Sequence, residues 1–107
     1  MSEYPSDEQL ETIKAWDVLK TGIKPLVEYV RELWKYGDDY TYLRKGKDKL
    51  FKKPCMKFEL HTFGWSGNEQ IVYALEQNFM FWCNSWNQTN RGGHYRFEIR
   101  MDLWEKK

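Results

Sequence analysis

The chain has 107 residues, which is enough for one hydrophobic core but too short for a catalytic domain joined to a regulatory one. We therefore expect a single domain over residues 1–107, with a helical part at 1–37 and a sheet-and-helix part at 40–107. Aromatic residues make up 18% of the chain. Their rings must supply much of the core, and some of them must reach the surface.

The net charge of +1 conceals a segregation of charge along the chain. Residues 1–40 carry a net charge of −4, residues 41–57 carry +6 and residues 58–107 carry −1. The middle segment is a predicted basic patch, which attracts nucleic acid or an acidic protein surface unless it is only a solvated lysine-rich turn. Its members are Arg44, Lys45, Lys47, Lys49, Lys52 and Lys53.

The cellular compartment is predicted from the N-terminus and the cysteines. The first residues, MSEYPSDEQL, are polar and acidic and do not resemble a signal peptide. No apolar run approaches the ~20 residues of a membrane span. We expect a cytoplasmic protein with no membrane partner, in which Cys55 and Cys83 are free thiols.

Two helices are predicted in the N-terminal part. Ser6 and Gln9 have the spacing of a capping box, and an apolar stripe continues from there to about Lys20. Pro25 lacks an amide proton and suits the first turn of a second helix, which ends near Gly37.

Several strands are predicted after residue 40. YTYL favours a short strand, and the alternation of apolar and polar residues in MKFELHTF and HYRFEIRM predicts half-buried strands. FMFWCNSW is interpreted as a further strand, and SGNEQIVYALEQN as a helix. The predicted fold is α+β, with the N-terminal helices and one further helix packed on a mostly antiparallel sheet of three or four strands.

The glycines of GWSGNEQ raise the question of a phosphate-binding loop. Such a loop needs Lys and Ser or Thr directly after the last glycine, whereas Asn68 and Glu69 follow Gly67 here. Ser66 and Glu69 have the spacing of a second capping box. We therefore interpret this segment as a helix entrance, in which Gly67 leaves room for Trp65 to fold over the turn.

The polar side of the predicted sheet is the candidate binding surface. If Phe58 and Phe97 face the helices, the alternate residues of their strands face the other way, where Trp82 and Trp86 would join them. Tryptophan and arginine dominate protein interfaces and also stack on single-stranded bases. The alternative is that the N-terminal helices cover this face. The predicted contact residues are Trp82, Trp86, Arg91, His94, Arg96 and Arg100.

Metal binding and nucleophilic catalysis are the alternatives that concern the histidines and cysteines. Cys55, His61, Cys83 and His94 are not spaced in the close pairs of structural zinc sites, so we predict no metal and no cofactor. A small enzyme that uses Cys83, His61 and His94 remains an alternative, although no catalytic signature flanks the cysteine.

Residues 64–99 resemble a family of short, uncharacterised proteins encoded by bacteriophages and prophages. The resemblance lies in GWSGNE, in Phe81-Trp82, in Trp86, and in RGGHY followed by Phe97-Glu98-Ile99. It carries no assigned activity. It implies a phage accessory protein in the cytoplasm of a bacterial host, of the kind that inhibits or redirects host machinery such as CRISPR and other defences.

These observations lead to three functional hypotheses. The first is a non-enzymatic, phage-type protein that binds a host or phage protein, for example an anti-CRISPR or other anti-defence inhibitor acting on a defence nucleoprotein complex. The second is a single-stranded nucleic-acid-binding module that uses the same Trp and Arg residues together with the basic patch. The third is the small enzyme.

Overall fold

The computed structural model describes residues 4–34, 41–47, 52–62, 65–90 and 93–105. None of the helices in these ranges is long and apolar enough to cross a membrane. In chain order the elements are α1 (Asp7–Ala15), α2 (Ile23–Leu33), β1 (Thr41–Lys47), β2 (Pro54–His61), α3 (Ser66–Gln77), α4 (Phe79–Ser85), β3 (Trp86–Asn90), β4 (His94–Arg100) and α5 (Met101–Trp104).

The two N-terminal helices begin as predicted. Ser6 Oγ accepts from the amide of Gln9, and Gln9 Oε1 accepts from the amide of Ser6, which is the predicted capping box. Helix α1 ends at Ala15 and not near Lys20. The carboxylate of Asp17 accepts the amides of Leu19 and Lys20, and this satisfies the backbone in a turn that competes with further helix.

The entrance to α3 is partly as expected. A Cβ at Gly67 would collide with the Trp65 indole, which confirms that this glycine makes room for the folded-over ring. The second capping box is wrong, because the N-cap is Trp65 and Ser66 is already the first residue of the helix. Ser66 Oγ instead donates to Tyr4 Oη at 3.1 Å.

The sheet has four strands in the order β1-β2-β4-β3, and each neighbouring pair is antiparallel. Leu60, Phe58 and Met56 of β2 lie opposite Tyr95, Phe97 and Ile99 of β4, respectively. All six are buried except Tyr95, which is half-buried, so the predicted inward face is confirmed. Their buried side chains form one core with residues from all five described helices.

The segment FMFWCNSW does not form the predicted strand. Residues 79–85 form helix α4, and β3 begins only at Trp86. The reason lies in Asn78, whose Oδ1 accepts the amide of Phe81 while its carbonyl accepts the amide of Trp82, so that the first turn of a helix is satisfied. The prediction of a single further helix was therefore wrong in this segment.

The α+β architecture is confirmed by this arrangement of helices and antiparallel sheet.

The C-terminal helix α5 is anchored by Trp104. This residue belongs to the core, and only 6% of it is exposed. The Nζ of Lys24 lies 5.8 Å from the centre of the Trp104 ring, so α2 and α5 also meet through a cation–π contact.

Candidate functional site

The side of the sheet opposite the core carries polar and aromatic side chains, and we call it the polar face. Residues directly opposite each other in an antiparallel pair share a face, so the register assigns its members. Their side chains are half-buried or exposed, whereas the helices of the described segments place their buried residues in the core on the other side. The polar face consists of Tyr42, Arg44, Lys57, Glu59, His61, His94, Arg96 and Glu98.

Glu59 lies at the centre of the polar face. Its Oε1 is 3.0 Å from His94 Nε2 and 3.7 Å from Arg96 Nε, and its Oε2 is 3.6 Å from an Arg44 terminal nitrogen. A carboxylate only accepts hydrogen bonds, so His94 Nε2 carries the donated proton. Glu59 thus links β1, β2 and β4 by charged contacts, with 17% of its side chain exposed.

The two histidines are brought together by the register and by a turn. His61 and His94 are opposite each other, and their ring centres are 3.8 Å apart. The backbone supports this pair from both sides, because the Trp34 indole donates to the His61 carbonyl and the Thr62 amide donates to the Gly93 carbonyl. Gly93 has a φ of 77°, a backbone conformation that glycine adopts readily and other residues rarely do.

The local electrostatics follow from this crowding. The pKa of His61 lies below its ordinary value because burial and the charge of His94 disfavour the imidazolium, and the opposing effect of Glu59 is smaller than either. The pKa of Glu59 is also lowered. Burial would raise it, but the hydrogen bond from His94 and the charges of Arg96, His94 and Arg44 together outweigh that effect.

The predicted indole–guanidinium surface does not form as expected. Trp82 is half-buried on α4, and its ring lies 5.6 Å from Phe97 and 6.4 Å from Tyr95, on the core side of the sheet. The sheet therefore separates Trp82 from His94 and Arg96. The expected shared surface needed residues 79–86 to be a strand, which the helix excludes.

The other predicted contact residues are only partly brought together. His94 and Arg96 lie on the polar face, and Arg100 lies on the same side at the end of β4, where it is exposed and forms an ion pair of 2.9 Å with Asp102. Trp86 begins β3 with its backbone opposite Phe97. Arg91 lies outside the described residues. A binding role for any of them stays a prediction.

Strand alternation divides the predicted basic patch. Arg44 belongs to the polar face, whereas Lys45 lines a groove on the other side together with Lys24 and Trp104. Lys47, Lys52 and Lys53 are exposed at the ends of β1 and β2, and Lys49 lies outside the described residues. The described lysines therefore surround one end of the β1–β2 pair and do not form a single stripe.

The two cysteines are remote from the histidine pair. Cys83 is exposed on α4, a helix that packs on the core side of the sheet through Phe81. Cys55 is buried six residues before His61 on β2, about 20 Å away along an extended strand. The arrangement of Cys83, His61 and His94 required for the small enzyme is therefore not formed.

Sequence reasoning missed the central role of Glu59 and the contribution of Tyr42. Glu59 and His61 are two residues apart on one strand, so alternation alone places them on the same face. Tyr42 is 50% exposed and its ring meets His61 edge-on at 5.3 Å. Only the pairing of β1 with β2 reveals that contact, and local sequence does not encode it.

The donor set of the polar face has a clear chemical character. Glu59, His61 and His94 each offer one ligand atom, and these atoms lie within 4.8 Å of one another. Two imidazoles and a carboxylate can bind a borderline transition-metal ion. Alternatively, they can exchange protons with one another.

Comparison with protein families, with curated proteins and with solved structures found no match for this chain.

Proposed function

We propose that this protein acts without catalysis, by binding another protein through the polar face. The observation that carries the proposal is a sheet that buries one face under helices and presents Tyr42, Arg44 and Arg96 on the other. Tyrosine and arginine are the residues that contribute most to protein interfaces together with tryptophan. A strand-based surface is also rigid, so little order has to be gained on binding.

The balance of charge on the polar face favours a protein partner. Its three permanent cations are accompanied by two carboxylates, those of Glu59 and Glu98. Both carboxylates are engaged in ion pairs at the centre of the face, where a phosphate backbone would be repelled. A partner surface of mixed charge complements this pattern, and the exposed lysines near the β1–β2 end would accelerate its approach.

The resemblance of residues 64–99 to phage and prophage proteins suggests the biological setting of the proposal. In that setting, a small binding protein would inhibit or redirect host machinery. We therefore propose a host or phage protein as the partner, with anti-CRISPR or other anti-defence activity as the leading case, in the cytoplasm of the bacterial host.

One observation supports single-stranded nucleic acid as a second candidate. Tyr42, His61 and His94 place three rings in a row across β1, β2 and β4, at centre distances of 5.3 Å and 3.8 Å. Unpaired bases stack on rings of this kind, and the basic β1 strand lies alongside. The central carboxylate of Glu59 counts against this candidate.

The test is retention of a partner from a lysate of a bacterial host by immobilised protein, compared between matched variants. The combined change Tyr42→Ala and Arg44→Glu alters only the polar face and should abolish retention. Tyr73→Ala removes an exposed tyrosine from α3 and should leave retention unchanged. Equal retention by the wild type and both variants would refute the use of the polar face.

Salt distinguishes the two candidates. Nucleic-acid affinity falls linearly on a logarithmic scale with salt concentration, because counterions are released for each phosphate contact. If the partner is a protein, a gel shift with random single-stranded oligonucleotides should show no complex even at about 50 mM salt. A complex that is strong at about 50 mM salt, weakens about tenfold or more by 200 mM and is lost in the Tyr42→Ala/Arg44→Glu variant would instead establish the second candidate.

A further inference from the structure

Three ligand-type side chains converge on the two central strands of the sheet. Glu59 and His61 alternate on β2, and His94 lies opposite His61 on β4. Their donor atoms lie within 4.8 Å of one another. Central strands hold their residues more firmly than loops do, so the scaffold keeps these three side chains close together on the polar face.

The spacing suits a small divalent ion. Bonds of 2.0–2.1 Å in a tetrahedral zinc site place neighbouring ligand atoms about 3.3 Å apart. His94 Nε2 and Glu59 Oε1 are already 3.0 Å apart, and a bound ion would replace the proton of the hydrogen bond between them. Closing the remaining separations requires a movement of at most about 1.5 Å, which a rotamer change of a partly exposed imidazole provides.

We propose that Glu59, His61 and His94 form a three-ligand site for Zn²⁺ on the polar face. Zinc binds imidazole nitrogen and carboxylate oxygen readily, and sites with three protein ligands keep a fourth position for water or another donor. The polar face leaves that position toward solvent. The proposal does not depend on the partner proposed above, and it differs from the expectation from sequence that the chain holds no metal.

Two neighbouring cations set the strength of the site. Arg96 and Arg44 lie 3.7 Å and 3.6 Å from the Glu59 carboxylate and oppose the arrival of a divalent cation. The same carboxylate compensates part of their charge. We therefore expect a weaker site than one surrounded by further acids, and removal of the nearer exposed cation by Arg44→Gln should tighten zinc binding several-fold.

The decisive experiment uses the fact that the chain has only two histidines, both in the proposed site. Tag-free protein carrying Cys83→Ser, which removes the exposed thiol, is titrated with Zn²⁺ while the imidazole nitrogens are followed by NMR. We expect both imidazoles to shift together and to saturate at one ion per chain. Shifts of neither or of only one imidazole up to millimolar Zn²⁺ would overturn the three-ligand site.

Matched variants identify the ligands. Glu59→Gln, His61→Phe and His94→Phe should each weaken Zn²⁺ binding by about 100-fold or more in calorimetry, since each removes one of three bonds. Glu98→Gln is the control, because it changes a carboxylate of the same face that lies outside the cluster and should leave affinity unchanged. Unaltered one-to-one binding in the two histidine variants would place the ion elsewhere and overturn the proposal. Circular dichroism establishes that each variant is folded.

Discussion

His61 illustrates how a single residue acquires its properties from neighbours that are distant in the sequence. Its ring stacks on His94, meets Tyr42 edge-on, and lies near the Glu59 carboxylate. None of these contacts is local except the one with Glu59. The lowered pKa of His61 is therefore a consequence of strand pairing, and it provides a measurable signature of the register.

We predict that His61 makes the metal-free protein lose stability as the pH falls below about 6.5. A histidine whose folded pKa is depressed binds its proton more readily in the unfolded chain, so its contribution is complete above the unfolded pKa of about 6.5 and is lost as the pH falls toward the folded value. The loss should stay below about 1 kcal/mol because the ring is partly exposed and solvent screens its interactions.

Urea unfolding between pH 7.5 and 5 measures this effect. The variant His61→Gln should lose the part of the pH dependence that lies in this range. The Glu59 carboxylate, whose pKa is lowered from 4.5, affects the pH dependence of stability only at more acidic pH. An identical profile for the wild type and His61→Gln would contradict the assigned environment of the ring.

At the level of elements, Asn78 connects three helices. Its Nδ2 donates to the carbonyls of Ile13 and Trp16 at 2.9 Å each, and its Oδ1 accepts the amide of Phe81. It is the C-cap of α3 and lies directly before α4, with 4% of its surface exposed. One side chain thereby satisfies the end of α1 and the start of α4 together.

We predict that Asn78→Asp destabilises the protein by about 3 kcal/mol, because it removes two buried donors and sets a carboxylate against two carbonyl oxygens. The free energy of unfolding in urea measures this loss. Asn84→Asp is the matched control, because the exposed Asn84 amide donates only to the Met80 carbonyl within α4, and the change should cost less than about 1 kcal/mol. Comparable losses in both variants would refute the linking role of Asn78.

The turn that begins β4 gives a second prediction at this scale. Gly93 combines a positive φ with a Cβ position occupied by the Thr62 hydroxyl, so Gly93→Ala should cost about 2 kcal/mol or more. Gly46→Ala is the control, since the nearest atom to its Cβ is the mobile Lys57 Cε at 2.8 Å and the backbone is an ordinary strand. In thermal or urea unfolding, Gly46→Ala should change the free energy of unfolding by less than about 0.5 kcal/mol, whereas Gly93→Ala should show the larger loss.

The elements that were predicted correctly from sequence have either a regular alternation of apolar and polar residues or a capping motif at their first residues. The alternation in HYRFEIR and the Ser6–Gln9 capping box are local, and both were confirmed. Helix α4 was missed because its seven residues are rich in aromatic side chains, which favour strands by propensity. The buried positions Phe81 and Ser85, four residues apart, together with the Asn78 cap, are the signals that favour a helix.

For the molecule as a whole, the sheet divides the aromatic residues into two groups with different tasks. Phe58, Phe97 and Trp82 pack on the helix side, whereas Tyr42 and the two histidines lie on the polar face. Sequence predicted the faces of β2 and β4 correctly. It could not assign Trp82, because a residue moves from one face to the other when its segment changes from strand to helix.

This division predicts that the two faces respond differently to mutation. Trp82→Ala removes an indole that packs on Phe97 and should lower the free energy of unfolding by about 2 kcal/mol, less than for a fully buried tryptophan. Arg44→Gln changes a side chain that is 64% exposed and has an ion pair of 3.6 Å, so its effect should stay within about 0.5 kcal/mol.

Urea denaturation of the two variants, followed by circular dichroism, separates these outcomes. Retention of a partner should show the reverse order, with Arg44→Gln impaired and Trp82→Ala unaffected at temperatures where both are folded. If Trp82→Ala were as stable as the wild type yet lost retention, the indole would contribute to binding and not to the core. That result would restore the single surface of indoles and guanidiniums expected from the sequence, and it would contradict the packing of α4 on β4.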